Sequence, residues 1–306
     1  MALKLIFMGT PEFAVPIFES INKSKHQILS VYTQSPQKKN RGQKITISPV
    51  HEYSNKHNIL VRHPKRLDDE KELQFIKKVN PDVVVVVAYG KILPDTFLNI
   101  DKIKFINVHA SLLPRWRGAA PIQRSIINMD QETGISIMKI VSKLDAGPFM
   151  LQEKIKIEKN DNYKTLSEKL ANLGSKLILE ALSFIEKNNY NLYEQNEGLV
   201  SYAKKIEKKE TEIKWSLPAK NLIAKINGLN PSPGAWFNHN NNRIKVFKAI
   251  EVEQSGNQGE VLDDNLTIAC KEKAIKILLL QRQGKKILNP KEFLTGYQIK
   301  KGENLV

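Results

Sequence analysis

Asn107 and His109 stand two residues apart at the end of the apolar run Phe105-Ile-Asn-Val-His109, within the longer stretch from Phe105 to Gln123. On an extended strand that spacing aims both side chains at one face. A carboxamide and an imidazole delivered together at a strand's carboxyl end can polarise a carbonyl and move a proton, two separate needs of acyl transfer. Asp145, in Lys143-Leu-Asp-Ala-Gly147, offers a carboxylate at the end of a following strand. Such a group suits the fixing of a histidine tautomer and the stabilisation of imidazolium. Spacing alone does not join Asp145 to His109. A turn-capping Asn107, a satisfied interior His109 and an ordinary Asp-Ala-Gly turn fit the same letters.

The elements that must position these groups follow a βα rhythm. Leu3 to Met8 is a short apolar run stopped by Gly9-Thr-Pro11, and Pro11 suits the first turn of a helix over Glu12 to Ile21. Strands at 28–33 and 59–62 alternate with helices at 49–57 and 68–79. Val83-Val-Val-Val-Val-Ala-Tyr89 is apolar on both faces, as expected of a central parallel strand covered by helices above and below. Phe105 to His109 follows, then a helix over 121–129, a strand over 134–141 and a long helix over about 164–187. The fold class expected is α/β, a doubly wound and mostly parallel sheet whose ligand crevice lies beyond the strands' carboxyl ends. That crevice gathers Gly9, Tyr89-Gly90, Asn107, His109 and Asp145. No G-x-G-x-x-G or G-x-x-x-x-G-K-[ST] follows a strand, so a nucleotide phosphate site is not indicated.

The expected domains are 1–188, the catalytic α/β domain; 189–206, a polar and weakly patterned linker; and 207–306, a small C-terminal β-barrel of OB-like type. The last rests on short alternating stretches at 243–249, 259–261, 266–270 and 275–281, separated by Gly, Asn or Asp turns.

The chain of 306 residues carries 48 Lys and Arg against 32 Asp and Glu, a net charge of +16 that calls for a polyanionic partner or surface. A lysine- and asparagine-rich chain can also reflect codon bias, so distribution matters more than total. Residues 201–306 hold 19 basic and 11 acidic residues, half of the excess. Gln34 to Ser48 carries Lys38, Lys39, Arg41 and Lys44 with no acid. Single Cys270 excludes an internal disulfide or cysteine metal cluster, and its flanks place it at a strand end as a buried thiol. No apolar run approaches the roughly 20 residues that span a bilayer, and the first residues read as a core strand rather than a leader. A cytoplasmic, monomeric protein is expected. His26, His51, His57, His63 and His239 show no metal-ligand spacing.

At Asn107-Val-His-Ala-Ser-Leu-Leu-Pro-Arg-Trp-Arg-Gly-Ala-Ala-Pro-Ile-Gln123, followed by Leu144-Asp-Ala-Gly147, the chain resembles the folate-dependent formyltransferases, and within them the branch whose acceptor is methionyl-tRNA. Met8-Gly-Thr-Pro-Glu-Phe13, Arg41-Gly-Gln-Lys44, Val86-Val-Ala-Tyr-Gly-Lys-Ile-Leu-Pro94, Trp215-Ser216, Asn230-Pro-Ser-Pro-Gly-Ala-Trp236 and Gly284-Lys-Lys286 look like that family in the same order. The resemblance implies a catalytic trio of Asn107, His109 and Asp145. It implies folate contacts from Ser111, Leu112, Leu113 and Pro114, with the loop at Tyr89 and Gly90 lining the pterin pocket. It assigns Lys38, Lys39, Arg41 and Lys44 to the acceptor arm of a tRNA. Asn40 stands where glycine is expected beside Arg41, which leaves the loop's charge intact.

The reaction implied moves a formyl group from N10 of 10-formyltetrahydrofolate, a co-substrate, to the α-amine of methionine on initiator tRNA, with no metal. His109 is then the acid/base or oxyanion donor, Asn107 a formyl-oxygen donor, and Asp145 the group that orients His109 or relays a proton through water. Rival acceptors are glycinamide ribonucleotide, a nucleotide-linked amino sugar, or water. A non-enzymatic RNA-binding protein that retains an inert α/β domain is the remaining alternative. The basic loop and the C-terminal barrel favour tRNA, because a small acceptor gives no reason for either.

Overall fold

A computed structural model describes residues 1–39 and 44–305, with the side chains of residues 38, 39 and 44 outside the description. These residues fold into two compact units. The first comprises Met1–Pro121, Thr133–Ile155 and Ser167–Ala203; the second comprises Ile122–Glu132, Lys156–Leu166 and the chain from Lys204 onward.

The first unit is built on seven strands: β1 (Lys4–Gly9), β2 (Gln27–Tyr32), β5 (Val61–Arg62), β6 (Val83–Val87), β7 (Lys104–His109), β9 (Glu132–Lys139) and β10 (Phe149–Lys156). Between them fall the hairpin strands β3 (Gln37–Lys39) and β4 (Lys44–Thr46), and the two-residue β8 (Arg117–Gly118), which pairs in parallel with β11 (Tyr202–Ala203). The helices are α1 (Ala14–Asn22), α2 (Pro49–Lys56), α3 (Glu70–Val79), α4 (Asp95–Leu98) and most of α6 (Tyr163–Glu186), whereas α5 (Pro121–Ile127) falls almost wholly in the second unit. Sheet order is β10-β9-β7-β6-β1-β2-β5. From β2 to β7 the neighbouring pairs are parallel, while β9 runs antiparallel to β7 with Asn107 opposite Met138 and His109 opposite Ser136. The expected doubly wound, mostly parallel α/β class therefore holds.

All five valines of β6 are buried, because helices on both faces remove it from water. The chain adds β2 and β5 on one side of β1 and then crosses to add β6 and β7 on the other. The crevice where the strand order reverses thus opens beyond the carboxyl ends of β1 and β6. Gly9 ends β1 there: a Cβ at this position would stand 2.7 Å from the Phe7 ring and 3.0 Å from Ala14 Cβ, so α1 packs this close only over glycine.

The basic segment of residues 34–48 is closed at its base by a 2.6 Å hydrogen bond between Thr33 Oγ1 and Ser48 Oγ. Ser48 also caps α2 by accepting the His51 N–H at 3.0 Å, with Pro49 in the first turn. Residues 189–206 are ordered. They contain a 3₁₀ turn at Glu197–Leu199 and β11, whose partner β8 belongs to the loop after β7.

The second unit carries an antiparallel half-barrel of β12 (Ala235–His239), β13 (Asn242–Val252), β15 (Ala274–Arg282) and β14 (Thr267–Ala269), in that order, with α7 (Ala219–Leu229) and α8 (Pro290–Gly296). Trp215, Leu222, Ile226, Phe237, Ile244 and Ile277 form part of its core. Cys270 is buried as expected, and burial pushes its thiol up to about 11, which suits packing and not nucleophilic work. Among the described residues no helix is long and apolar enough to cross a membrane.

Candidate active site

β7 delivers Asn107 and His109 to one face at its carboxyl end, as period-two geometry requires. Asn107 is half-buried, and its carboxamide makes no hydrogen bond to any other described residue, which leaves its N–H donors available. His109 is 5% exposed on its side chain, and its Nε2 lies 2.9 Å from the Trp116 carbonyl. A carbonyl only accepts, so Nε2 carries the proton and neutral His109 presents the Nδ1 lone pair. Asp145 Oδ2 faces that Nδ1 at 3.7 Å, an ion-pair separation too long for a direct hydrogen bond. Three groups from separate segments thus converge: a proton acceptor, a carboxylate that meets the charge the acceptor gains, and a neutral donor beside them.

Asp145 is held by its own surroundings. Its Oδ2 accepts the Gly118 N–H at 2.8 Å, and its backbone sits in the left-handed region at φ +47, which Asp tolerates better than most residues. Gly147 completes the turn, where a Cβ would stand 2.0 Å from the Lys139 carbonyl oxygen. The loop after β7 therefore serves both partners, Trp116 through its carbonyl and Gly118 through its amide. Trp116 also takes a positive φ of +63, a strain of the kind that collects at working sites.

Residues 111–114 form a tightly braced loop. Ser111 is 1% exposed and its Oγ donates to the Arg115 carbonyl at 2.6 Å, so its hydroxyl is committed to the loop itself. Leu113 is buried and Leu112 and Pro114 are half-buried. The brace comes from the sheet: Ser136 Oγ donates to the Ser111 carbonyl at 2.6 Å and accepts the Leu113 N–H at 3.1 Å. Gln152 Nε2 donates to the Leu113 carbonyl and to Ser136 Oγ, both at 2.8 Å. Sequence reasoning missed Ser136 and Gln152. Their signal was a polar residue on the buried face of a strand.

Tyr89 is 1% exposed and packs in the core with Tyr32, Leu93 and Phe97, with burial raising its phenol. Its backbone, and that of Gly90 at φ +81, forms the loop after β6, held by Thr10 Oγ1 donating to the Tyr89 carbonyl at 2.9 Å. Any ligand contact at Tyr89 therefore falls to the main chain. Lys38, Lys39 and Lys44 lie on the β3–β4 hairpin, with Lys39 paired to Lys44 in register. Arg41 lies outside the described residues. Among these residues no group of three His, Cys, Asp or Glu side chains is placed to hold a metal ion.

Residues 3–182 match the formyl transferase family and residues 205–298 match the formyl transferase C-terminal domain. The chain is 50% identical over 307 residues to a methionyl-tRNA formyltransferase of Pelagibacter ubique, covering 100% of this chain and 99% of the relative. It is 42% identical to the methionyl-tRNA formyltransferase of Parvibaculum lavamentivorans, covering 99% and 100%. In three dimensions it is similar to HypX from Aquifex aeolicus in complex with tetrahydrofolic acid, with a TM-score of 0.68 at 15% identity over 99% of this chain and 51% of that one. It is similar also to WlaRD, a sugar 3N-formyl transferase, with a TM-score of 0.67 at 19% identity over 94% and 100%. The structural likenesses speak for the fold; the family match and the full-length identities go further, and this chain belongs to the formyl transferase family.

Proposed function

We propose that the chain transfers the formyl group of 10-formyltetrahydrofolate to the α-amine of methionine esterified to initiator tRNA, the step that prepares that tRNA for translation initiation. The observation that carries the acceptor is the extent of the match: 50% identity to a relative named for this activity runs through both units, including the C-terminal domain. Residues 1–188 supply the catalytic domain and residues 207–306 the tRNA-binding domain in this reading.

The amine attacks the formyl carbon as a free base, the carbonyl oxygen gains negative charge, and the C–N10 bond then breaks. Asn107 donates to that oxygen from its unoccupied carboxamide. Nδ1 of His109 accepts the proton lost by the amine, and Asp145 at 3.7 Å faces the imidazolium that results. The same proton passes to N10 as folate leaves, so His109 ends as it began. The main chain at Tyr89 and Gly90 and the braced loop Ser111, Leu112, Leu113 and Pro114 hold the folate.

The deciding assay incubates the purified chain with 10-formyltetrahydrofolate and either charged initiator tRNA, a charged elongator tRNA or free methionine. Formylation confined to initiator tRNA is expected; formylation of free methionine alone, or of neither tRNA, overturns the acceptor. Lys38, Lys39, Arg41 and Lys44 bind the acceptor arm through phosphates. Neutralising all four is expected to lower the slope of log affinity against log salt by about 3, near 0.7 to 0.9 per phosphate contact, with folate affinity unchanged. Filter binding from low to high salt measures this, and an unchanged slope removes the segment from the interface.

A further inference from the structure

Arg117 is 0% exposed, and its charge partner Glu197 is 62% exposed on its side chain, 2.7 Å from Nη2. Burying a guanidinium carries a large desolvation cost before any partner is counted, and among the described residues Arg117 Nη1 has no hydrogen-bond partner. An apolar side chain would fill the same space more cheaply, so packing does not explain the choice. What Arg117 does is donate from Nε to Gln195 Oε1 at 3.0 Å. That bond fixes which end of the Gln195 carboxamide points where. Its Nε2 is thereby committed to two carbonyls of a single turn, Asp145 O at 2.9 Å and Gly147 O at 2.7 Å. Gln195 itself is 8% exposed.

These bonds close a ring around the proposed catalytic pair. Trp116 and Gly118, which flank Arg117, hold His109 and Asp145 respectively. The segment that carries Gln195 continues into Ser201, whose carbonyl accepts the Arg117 N–H at 2.9 Å and whose Oγ accepts the Trp116 N–H at 3.0 Å. It ends in β11, with the Ala203 carbonyl accepting the Ala119 N–H at 2.9 Å. Both loops that place the pair are thus gripped by residues 195–203.

We propose that Gln195, oriented by buried Arg117, is a positioning residue that sets the distance between the Asp145 carboxylate and His109. The inference rests on the reading of His109 and Asp145 as catalytic. The carboxamide holds the left-handed turn at Asp145 by satisfying the carbonyls at its first and third residues. Glutamate at 195 keeps the size and can still accept from Arg117, but its carboxylate cannot donate to the Asp145 and Gly147 carbonyls. The turn then relaxes and the carboxylate moves, and a displacement of about 1 Å at such a site costs up to about a hundredfold in rate.

The test measures Gln195→Glu, and the shorter Gln195→Asn beside it, in the full chain, with kcat expressed per folate-binding site found by titration so that unfolded protein does not count. Expected is a fall in kcat of about tenfold or more, with KM for 10-formyltetrahydrofolate and for charged tRNA within about threefold. In an Asp145→Asn background the same substitutions are expected to cost less than about twofold, because residues acting through one group are not additive. A merely structural role predicts multiplying losses in that cycle. Unchanged kcat in either single variant, or multiplying losses, overturns the inference while the catalytic reading stands. A fully active His109→Ala removes that reading itself, so the two failures are told apart.

Discussion

Turnover of His109→Ala falls by at least about a hundredfold, the range in which removed acid/base groups show their effect. The imidazole is the one titratable side chain on the carboxyl end of β7, and its Nε2 is already committed to the Trp116 carbonyl. Only Nδ1 is left to accept a proton, and alanine removes it. The substitution also empties a 5% exposed site, which lowers stability without altering the path of β7, whose backbone pairs with β6 and β9 through their own groups. Single-turnover formylation at saturating folate and tRNA, with sites counted by folate binding, separates lost chemistry from lost protein. Near-normal turnover in that assay rejects His109 as the base.

How far the sequence was legible depended on whether the signal was local. The five valines of β6 read as a central strand because helices cover both faces of a parallel sheet, and an alternation would have said otherwise. Asn107 and His109 were legible as a pair because two residues on a strand always share a face. Asp145 was not, since nothing near residue 145 says which strand end it meets: β9 runs antiparallel and leaves opposite Ile106, and the loop after it is held beside His109 by the Gly118 N–H and the Gln195 carboxamide. The antiparallel sense of β9 and the whole of β10 escaped for a related reason. β10 is mostly half-buried or exposed, so its letters lack a clear apolar period.

Two residues that the sequence did not single out escaped for one physical cause. Arg117 is charged and Gln195 lies in a polar, weakly patterned stretch, and both properties ordinarily mean solvent. Each is buried because it satisfies the other, a condition set by residues 78 apart in the chain and invisible to any local window. Tyr89 and Gly90 were expected as a loop that lines the pocket; between positive φ at Ala88 and Gly90, +45 and +81, the Tyr89 ring packs in the core, so the main chain is the part of that loop left for a ligand. The β3–β4 hairpin was legible only as charge, because Lys-rich strands of three residues carry no hydrophobic pattern.

Asp145→Asn tests charge separately from placement. The asparagine has the same shape, accepts the Gly118 N–H through its oxygen, and tolerates the left-handed backbone at φ +47 as well as aspartate does. The Gln195 bonds run to backbone carbonyls and survive the exchange. What is lost is the negative charge 3.7 Å from Nδ1, which opposes the positive charge His109 acquires on taking the amine proton. In a site where Asp145 is 16% exposed, screening by water is incomplete, and kcat is expected to fall by about a hundredfold or more while KM for folate and tRNA moves little. If Asp145 serves only to hold the loop after β7 through Gly118, asparagine does that equally well and turnover is nearly intact. Steady-state kinetics of Asp145→Asn beside Asp145→Ala decide the matter. Equal, large losses in both mean the charge is the working part, whereas activity retained in the asparagine variant alone reduces Asp145 to a loop anchor and removes the ion pair from the mechanism.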